Sequence, residues 1–278
     1  MSAERPLGIF IVCDQDLPLR LRTAQRLGIP TAQILAPPAT ERTPAKIAEL
    51  QKSFTDAGLK ITVVFCGFPG ESYADIPTVK RTVGLAPAAT RQERLLEAKQ
   101  ISDFARRLGV DAIGLHIGFI PEAPDDPNYT PLVSAVRELA QYCSGNGQRL
   151  HLETGQETAE TLLRFIKDVD AANLAVNFDP ANMILYGSGE PLPALRLLGR
   201  YVRSVHCKDA RWAEKPGQEW GMETPLGEGH VNMAAFIAAL DEIGYQGPLT
   251  IEREIAGEAQ AKDIEKGVQL LRRLLENR

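Results

Sequence analysis

Short apolar runs alternate with longer amphipathic stretches along the whole chain, and the same join recurs between them. An amphipathic stretch ends at a glycine and a β-type run follows within a few residues, at Gly28, Gly58, Gly109, Gly199 and Gly244. A glycine just past a helix enters the left-handed conformation without the penalty a side chain would bring. Helix starts are marked as well: Thr43 and Thr130 each precede a proline, and Thr90 with Glu93 has capping-box spacing. Between these marks the pattern predicts eight strands, at 7–12, 32–35, 61–66, 112–117, 150–153, 174–178, 202–207 and 249–252, each followed by a helical segment. Eight such units predict an α/β fold, a (β/α)8 TIM barrel, over residues 1–278 as a single domain. An open doubly wound sheet is the rival, but no GxGxxG fingerprint opens the first helix. The longest connections, 68–89, 119–129 and 210–229, all follow strands, which in a barrel is the side that carries active sites.

Composition narrows the function. A chain of 278 residues with 44% hydrophobic content suits one large core better than two. Its net charge of -5, from 31 basic and 36 acidic residues, provides no basic field to hold nucleic acid or an anionic membrane. The opening MSAERPLGIFIVCDQD fits a signal peptide poorly, and no segment has the apolar length of a membrane span. Cys13, Cys66, Cys143 and Cys207 form no CxxC pair and are expected as reduced thiols in a cytoplasmic protein, which makes the sequon at Asn128 a chance match.

Barrel chemistry sits where strands end, and four consecutive strands each end on a potential ligand: LHLETG at Glu153, AVNFDP at Asp179, SVHCKD at His206 and LTIERE at Glu252. An acid at such a place is often only a helix cap, and Asp179 before Pro180 suits that role too. Together, three carboxylates and one imidazole form an oxygen-rich set suited to one divalent ion, Mn²⁺, Mg²⁺ or Co²⁺, with Zn²⁺ less expected. Two residues earlier on each strand, and so on the same face, stand His151, Asn177, Ser204 and Thr250, a polar layer of the kind that orients metal ligands. His116, at the end of the fourth strand, could touch a substrate hydroxyl. Trp212, Trp220, Glu228 and His230 are read as ordinary loop residues.

Over nearly its whole length, and most clearly from Leu150 onward, the chain resembles the xylose isomerase-like TIM barrel superfamily, in HLETGQE, NFDPAN, VHCKD, PLGEGHVN and GYQGPLTIERE. The branch it resembles comprises sugar isomerases and epimerases and includes inosose dehydratases, hydroxypyruvate isomerases and ketose 3-epimerases. The resemblance implies that Glu153, Asp179, His206 and Glu252 hold one ion, Mn²⁺ by preference, and that the two glutamates are the acid/base pair. It also implies substrate contacts by Lys208, in an HxKD pattern, and by Arg211, and a homodimer or homotetramer. Two positions depart from the ketose 3-epimerase pattern: Asn182 stands where many carry a histidine, and is kept as a substrate-contact candidate, and Ala159 where they carry a glutamate.

The leading expectation is a metal-dependent isomerase or epimerase of a small sugar or keto-sugar, working by α-proton abstraction through a metal-stabilised enediolate. A lyase of the inosose dehydratase kind, or one acting on 3-keto sugars, uses the same metal and glutamate base and is the alternative. A non-catalytic sugar-binding barrel comes third. A metallo-endonuclease is excluded by the acidic charge and by a content of only four histidines.

Overall fold

A computed structural model describes residues 5–276. The bounds expected at 1 and 278, and the first residues of the segment assessed as a signal peptide, lie outside them. Eight parallel strands close into a barrel: β1 (Leu7–Val12), β2 (Thr31–Leu35), β3 (Lys60–Phe65), β4 (Ala112–Leu115), β5 (Arg149–Glu153), β6 (Leu174–Phe178), β7 (Val202–Cys207) and, after a hairpin of β8 (Asp209–Arg211) and β9 (Met222–Thr224), β10 (Leu249–Ile251). Closure is made by β10 on β1, with Leu7 opposite Leu249 and Ile9 opposite Ile251. Around the barrel lie α1 (Leu17–Arg26), α2 (Pro44–Asp56), α3 (Ile76–Thr82), α4 (Arg91–Leu108), α5 (Tyr129–Gly145), α6 (Ala159–Val169), α7 (Pro180–Tyr186), α8 (Pro191–Leu198), α9 (Met233–Glu242) and α10 (Gly257–Glu276). The expected (β/α)8 barrel is the fold. No helix among the described residues is long and apolar enough to cross a membrane, and all four cysteines are free.

Several local expectations need correction. Gly28, Gly58, Gly109 and Gly244 have positive φ as expected, but Gly199 is right-handed (φ -48) and starts a 3-10 turn. Its small size has another cause, since a Cβ there would lie 2.6 Å from Ile243 Cγ2. Thr43 does cap α2, accepting from the Lys46 amide at 3.2 Å. Thr130 is no cap: α5 begins at Tyr129, with Asn128 before it, so Thr130 and its proline lie inside the first turn. Thr90 precedes α4, yet its hydroxyl makes no cap bond and is buried without a partner. The seventh strand is followed first by the β8–β9 hairpin and only then by a helix.

Strand alternation divides the barrel interior in two. One large apolar core packs the outward strand residues, such as Ile9, Ile11, Leu150 and Leu152, against the helices. Inside, Phe10, Val63, Phe65 and Ala112 make a small apolar cluster on the β1–β4 side, whereas β5, β6, β7, β10 and β2 turn buried polar residues inward. Gly114 permits this arrangement, because a Cβ on β4 would lie 2.7 Å from the tip of the Phe65 ring. Phe65 can therefore lean across the barrel, 5.5 Å from Phe10, and both rings pack on His206 at 5.3 and 5.4 Å.

Candidate metal centre

Glu153 ends β5, Asp179 follows β6, His206 lies in β7 and Glu252 follows β10, so neighbouring strands carry the four side chains to one place. One ligand atom from each can be chosen so that all lie within 4.8 Å of one another. His206 Nδ1 is the hub, 2.7 Å from Glu153 Oε1, 3.2 Å from Glu252 Oε2 and 3.5 Å from Asp179 Oδ2. Glu153, His206 and Asp179 are closed off from solvent, the last two completely, and the Glu252 side chain is 10% exposed.

The imidazole is oriented by a residue that the sequence reading passed over. Gln33 on β2 places its Oε1 2.8 Å from His206 Nε2, while its amide nitrogen donates to Thr250 Oγ1 at 3.3 Å. An amide oxygen can only accept, so Nε2 carries a ring hydrogen, and Nδ1 is the nitrogen that faces the three carboxylates. Asp179 is equally divided. Its Oδ1 caps α7, accepting from the Ala181 and Asn182 amides at 2.8 and 2.9 Å, and Thr154 clasps its backbone on both sides. Its Oδ2 is buried, makes no cap bond and faces His206 Nδ1 at 3.5 Å. The cap reading and the ligand reading of Asp179 are thus compatible, one oxygen for each.

Electrostatics describes a site short of positive charge. Burial pushes the Asp179 carboxyl up to about 6, against the pull of the Lys208 ammonium. Burial acts the same way on Glu252, but Lys208 and His206 overcome it and hold that carboxyl below its ordinary range. Burial disfavours a charged His206, yet Glu252 and Glu153 outweigh it and raise its pKa. Three clustered carboxylates therefore recruit a proton onto the imidazole, the role a divalent cation would take over. Buried ligand atoms turned to one point and an oxygen-rich donor set fit such an ion.

Other singled-out residues fall into three groups. Lys208 is buried, with Nζ 3.1 Å from Glu252 Oε2, 3.2 Å from Asn182 Oδ1 and bonded to Glu254, so its three hydrogens are all engaged. The Asn182 amide also reaches Glu153 Oε1 at 3.5 Å. His116 Nε2 lies 3.2 Å from Glu153 Oε2. In the layer beneath, Thr250 serves Gln33, His151 Nδ1 pairs with Ser204 Oγ at 2.8 Å, and Asn177 has no side-chain partner. Arg211 is not brought to the cluster: in the β8–β9 hairpin it is exposed and donates to the Glu228 carbonyl. His230 accepts from the Trp212 amide, whereas Trp220 packs edge-on against Tyr186 at 4.6 Å. A cleft of about 820 Å³ lies over the ends of β1, β2 and β3, lined by Cys13, Leu35, Lys46 and Phe68 among others, and none of the four cluster residues lines it. Leu35 belongs also to the Phe10–Phe65 cluster, whose two rings pack on His206.

The model of the family described as xylose isomerase-like TIM barrel matches residues 21–274. The chain belongs to that family. This xylose isomerase-like barrel superposes on the crystal structure of a xylose isomerase domain protein from Planctomyces limnophilus with a TM-score of 0.95 and 50% identity, covering 99% of this chain and 98% of that one. Among curated relatives, inosose dehydratase of Geobacillus thermodenitrificans is 25% identical over 141 residues, 44% of this chain and 46% of the relative. L-ribulose 3-epimerase of a Methylomonas species is 26% identical over 143 residues, 49% and 46% of the two chains. The chain spans about half the length of these curated relatives. Family membership thus joins this barrel to both epimerases and dehydratases.

Proposed function

We propose that this xylose isomerase-like barrel is a divalent-metal-dependent isomerase or epimerase of a small sugar or keto-sugar, one that removes a proton from the carbon beside a carbonyl. The observation that carries the reading is the convergence of Glu153, Asp179, His206 and Glu252, with His206 Nδ1 and Asp179 Oδ2 buried and turned into the cluster. These four would hold the ion, Mn²⁺ before Mg²⁺, Co²⁺ or Zn²⁺. When bound, it draws electron density from substrate carbonyl and hydroxyl oxygens and so acidifies the neighbouring C–H.

The protein's own part is proton handling. Glu252 and Glu153 enter from β10 and β5, three strands apart around the barrel, and can address a substrate from two sides. Lys208 beside Glu252 keeps that carboxylate ionised. Return of a proton to the other face of the same carbon is epimerisation, and return to the adjacent carbon is isomerisation. His116 and Asn182 border Glu153 at the mouth, while Arg211, engaged with Glu228, takes no part. A dehydratase reading has specific support in the similarity to inosose dehydratase; there the same abstraction is followed by loss of a neighbouring hydroxyl. The proposal takes residues 1–278 as one domain, acting as a homodimer or homotetramer, and four unpaired thiols support a reducing, cytoplasmic setting.

Metal analysis after Mn²⁺ reconstitution, followed by deuterium incorporation from heavy water into a panel of ketoses and keto-sugars, tests the reading. Exchange that is lost in Glu252→Gln supports it, and an unsaturated ultraviolet-absorbing product selects the dehydratase. Failure of the reconstituted protein to bind any divalent ion overturns it.

A further inference from the structure

Beyond the four clustered side chains, a second chain of polar contacts, running from buried Tyr186 and Gln156 to part-buried His116, ends on one of them. His116 Nε2 stands 3.2 Å from Glu153 Oε2. On the other side of the ring, Nδ1 lies 3.2 Å from Gln156 Nε2, and the same amide nitrogen lies 3.0 Å from the Tyr186 hydroxyl. Gln156 and Tyr186 are each about 4% exposed. The amide nitrogen has two hydrogens and finds two acceptors. Turning the amide over would leave those two buried donors unpaired in place of one carbonyl oxygen, the costlier arrangement.

The local backbone is arranged to make this meeting possible. Gly155 brings the turn after β5 against α7, where a Cβ would lie 2.9 Å from Asn182 Cβ and 3.2 Å from the Tyr186 ring. Tyr186 is in turn braced by Trp220 at 4.6 Å and Phe119 at 5.9 Å. On the near side, the connection after β3 is pinned over β4 by the Leu85 and Ala86 amides on the Ile117 carbonyl, and it sets Tyr73 6.0 Å from the His116 ring.

We infer that Tyr186, Gln156 and His116 form a positioning chain that holds the ring hydrogen of His116 on Nε2, so that His116 engages Glu153 Oε2 and leaves Oε1 as the one oxygen turned to the metal centre. The inference rests on the metal-centre reading for its purpose but not for its geometry. It makes the two glutamates unequal. Glu153 has one oxygen toward the imidazole hub and the other held by the His116 N–H, whereas Glu252 directs Oε2 at both His206 and Lys208. None of the three chain residues is a ligand; each acts through Glu153.

Nitrogen-15 labelling of the four histidines in the full chain, read by long-range proton–nitrogen correlation with and without Mg²⁺, locates the hydrogen directly. The expected result is hydrogen on His116 Nε2 and none on Nδ1, unchanged by Mg²⁺. Hydrogen on Nδ1, in a neutral or a charged ring, overturns the inference whether or not metal binds. In Gln156→Glu the new carboxylate should draw hydrogen onto Nδ1, and in Gln156→Met the ring should populate both tautomers. Both variants should weaken Mg²⁺ binding ~10- to 100-fold, with thermal melts near wild type. An unaltered dissociation constant in both also overturns the positioning role. Absence of Mg²⁺ and Mn²⁺ binding in the wild type, with His116 in the expected form, would count against the metal reading alone.

Discussion

Gln33 offers the sharpest test of the candidate centre, because it touches no ligand atom that faces the ion. Its Oε1 accepts from His206 Nε2 at 2.8 Å and its amide donates to Thr250 at 3.3 Å, in surroundings where it is 1% exposed. In Gln33→Leu the volume is nearly kept, but a buried imidazole N–H loses its acceptor, at a cost of ~1–3 kcal/mol. The ring can escape that cost by moving its hydrogen to Nδ1, where Glu153 Oε1 waits 2.7 Å away. That escape consumes the lone pair meant for the metal. The two alternatives, a bare N–H or an occupied Nδ1, both weaken binding, and ~10- to 100-fold is the usual loss for such an orienting partner. Calorimetric titration with Mn²⁺ should show that loss in Gln33→Leu, and little or none in Gln33→Glu, which keeps an acceptor at the same point. An Mn²⁺ dissociation constant in Gln33→Leu within twofold of wild type would refute the assignment of His206 Nδ1 as the coordinating atom.

Further outcomes follow from the same geometry. Asp179→Asn should retain the α7 cap, since Asn and Asp cap comparably, and keep its melting temperature while losing metal affinity; Asp179→Ala should lose both, with ~1 kcal/mol of stability read by urea denaturation. Glu157 is buried with neither oxygen paired, and burial pushes its carboxyl up to about 8. Because the folded value exceeds the unfolded one of 4.5, its contribution to stability is complete below about pH 4.5 and lost as pH rises through about 8. Glu157→Gln should therefore flatten that decline in pH-dependent melts and be the more stable protein at pH 9, with a ceiling of ~5 kcal/mol set by the size of the shift. An unchanged pH profile would contradict its burial as a carboxyl. Gly114→Ala should cost ~1–3 kcal/mol, since the new methyl meets the Phe65 ring at 2.7 Å, and should weaken metal binding because that ring packs on His206; a crystal structure would show the displaced ring.

What could be read without coordinates was whatever depends on neighbours in the chain. Strand runs and helix-end glycines repeat at the spacing of β/α units, so the barrel was legible, and with it the strand ends that carry Glu153, Asp179, His206 and Glu252. Periodicity of two placed Thr250 and His151 on the inward face as well. Contacts made across the barrel could not be read in the same way. Gln33 is 173 residues from His206 and was signalled only as one polar residue within an apolar strand, TAQIL. Lys208 was read as a substrate contact from the HxKD pattern, because its partners Glu254 and Asn182 lie far off in the chain and were not visible. Gly199 looked like a helix stop, whereas Ile243 is what requires it to be small. Composition and local periodicity determine which side chains face inward and at which end of a strand they stand. Closure of the sheet alone decides which of them meet, which oxygen of each carboxylate is already engaged, and which nitrogen of His206 remains free.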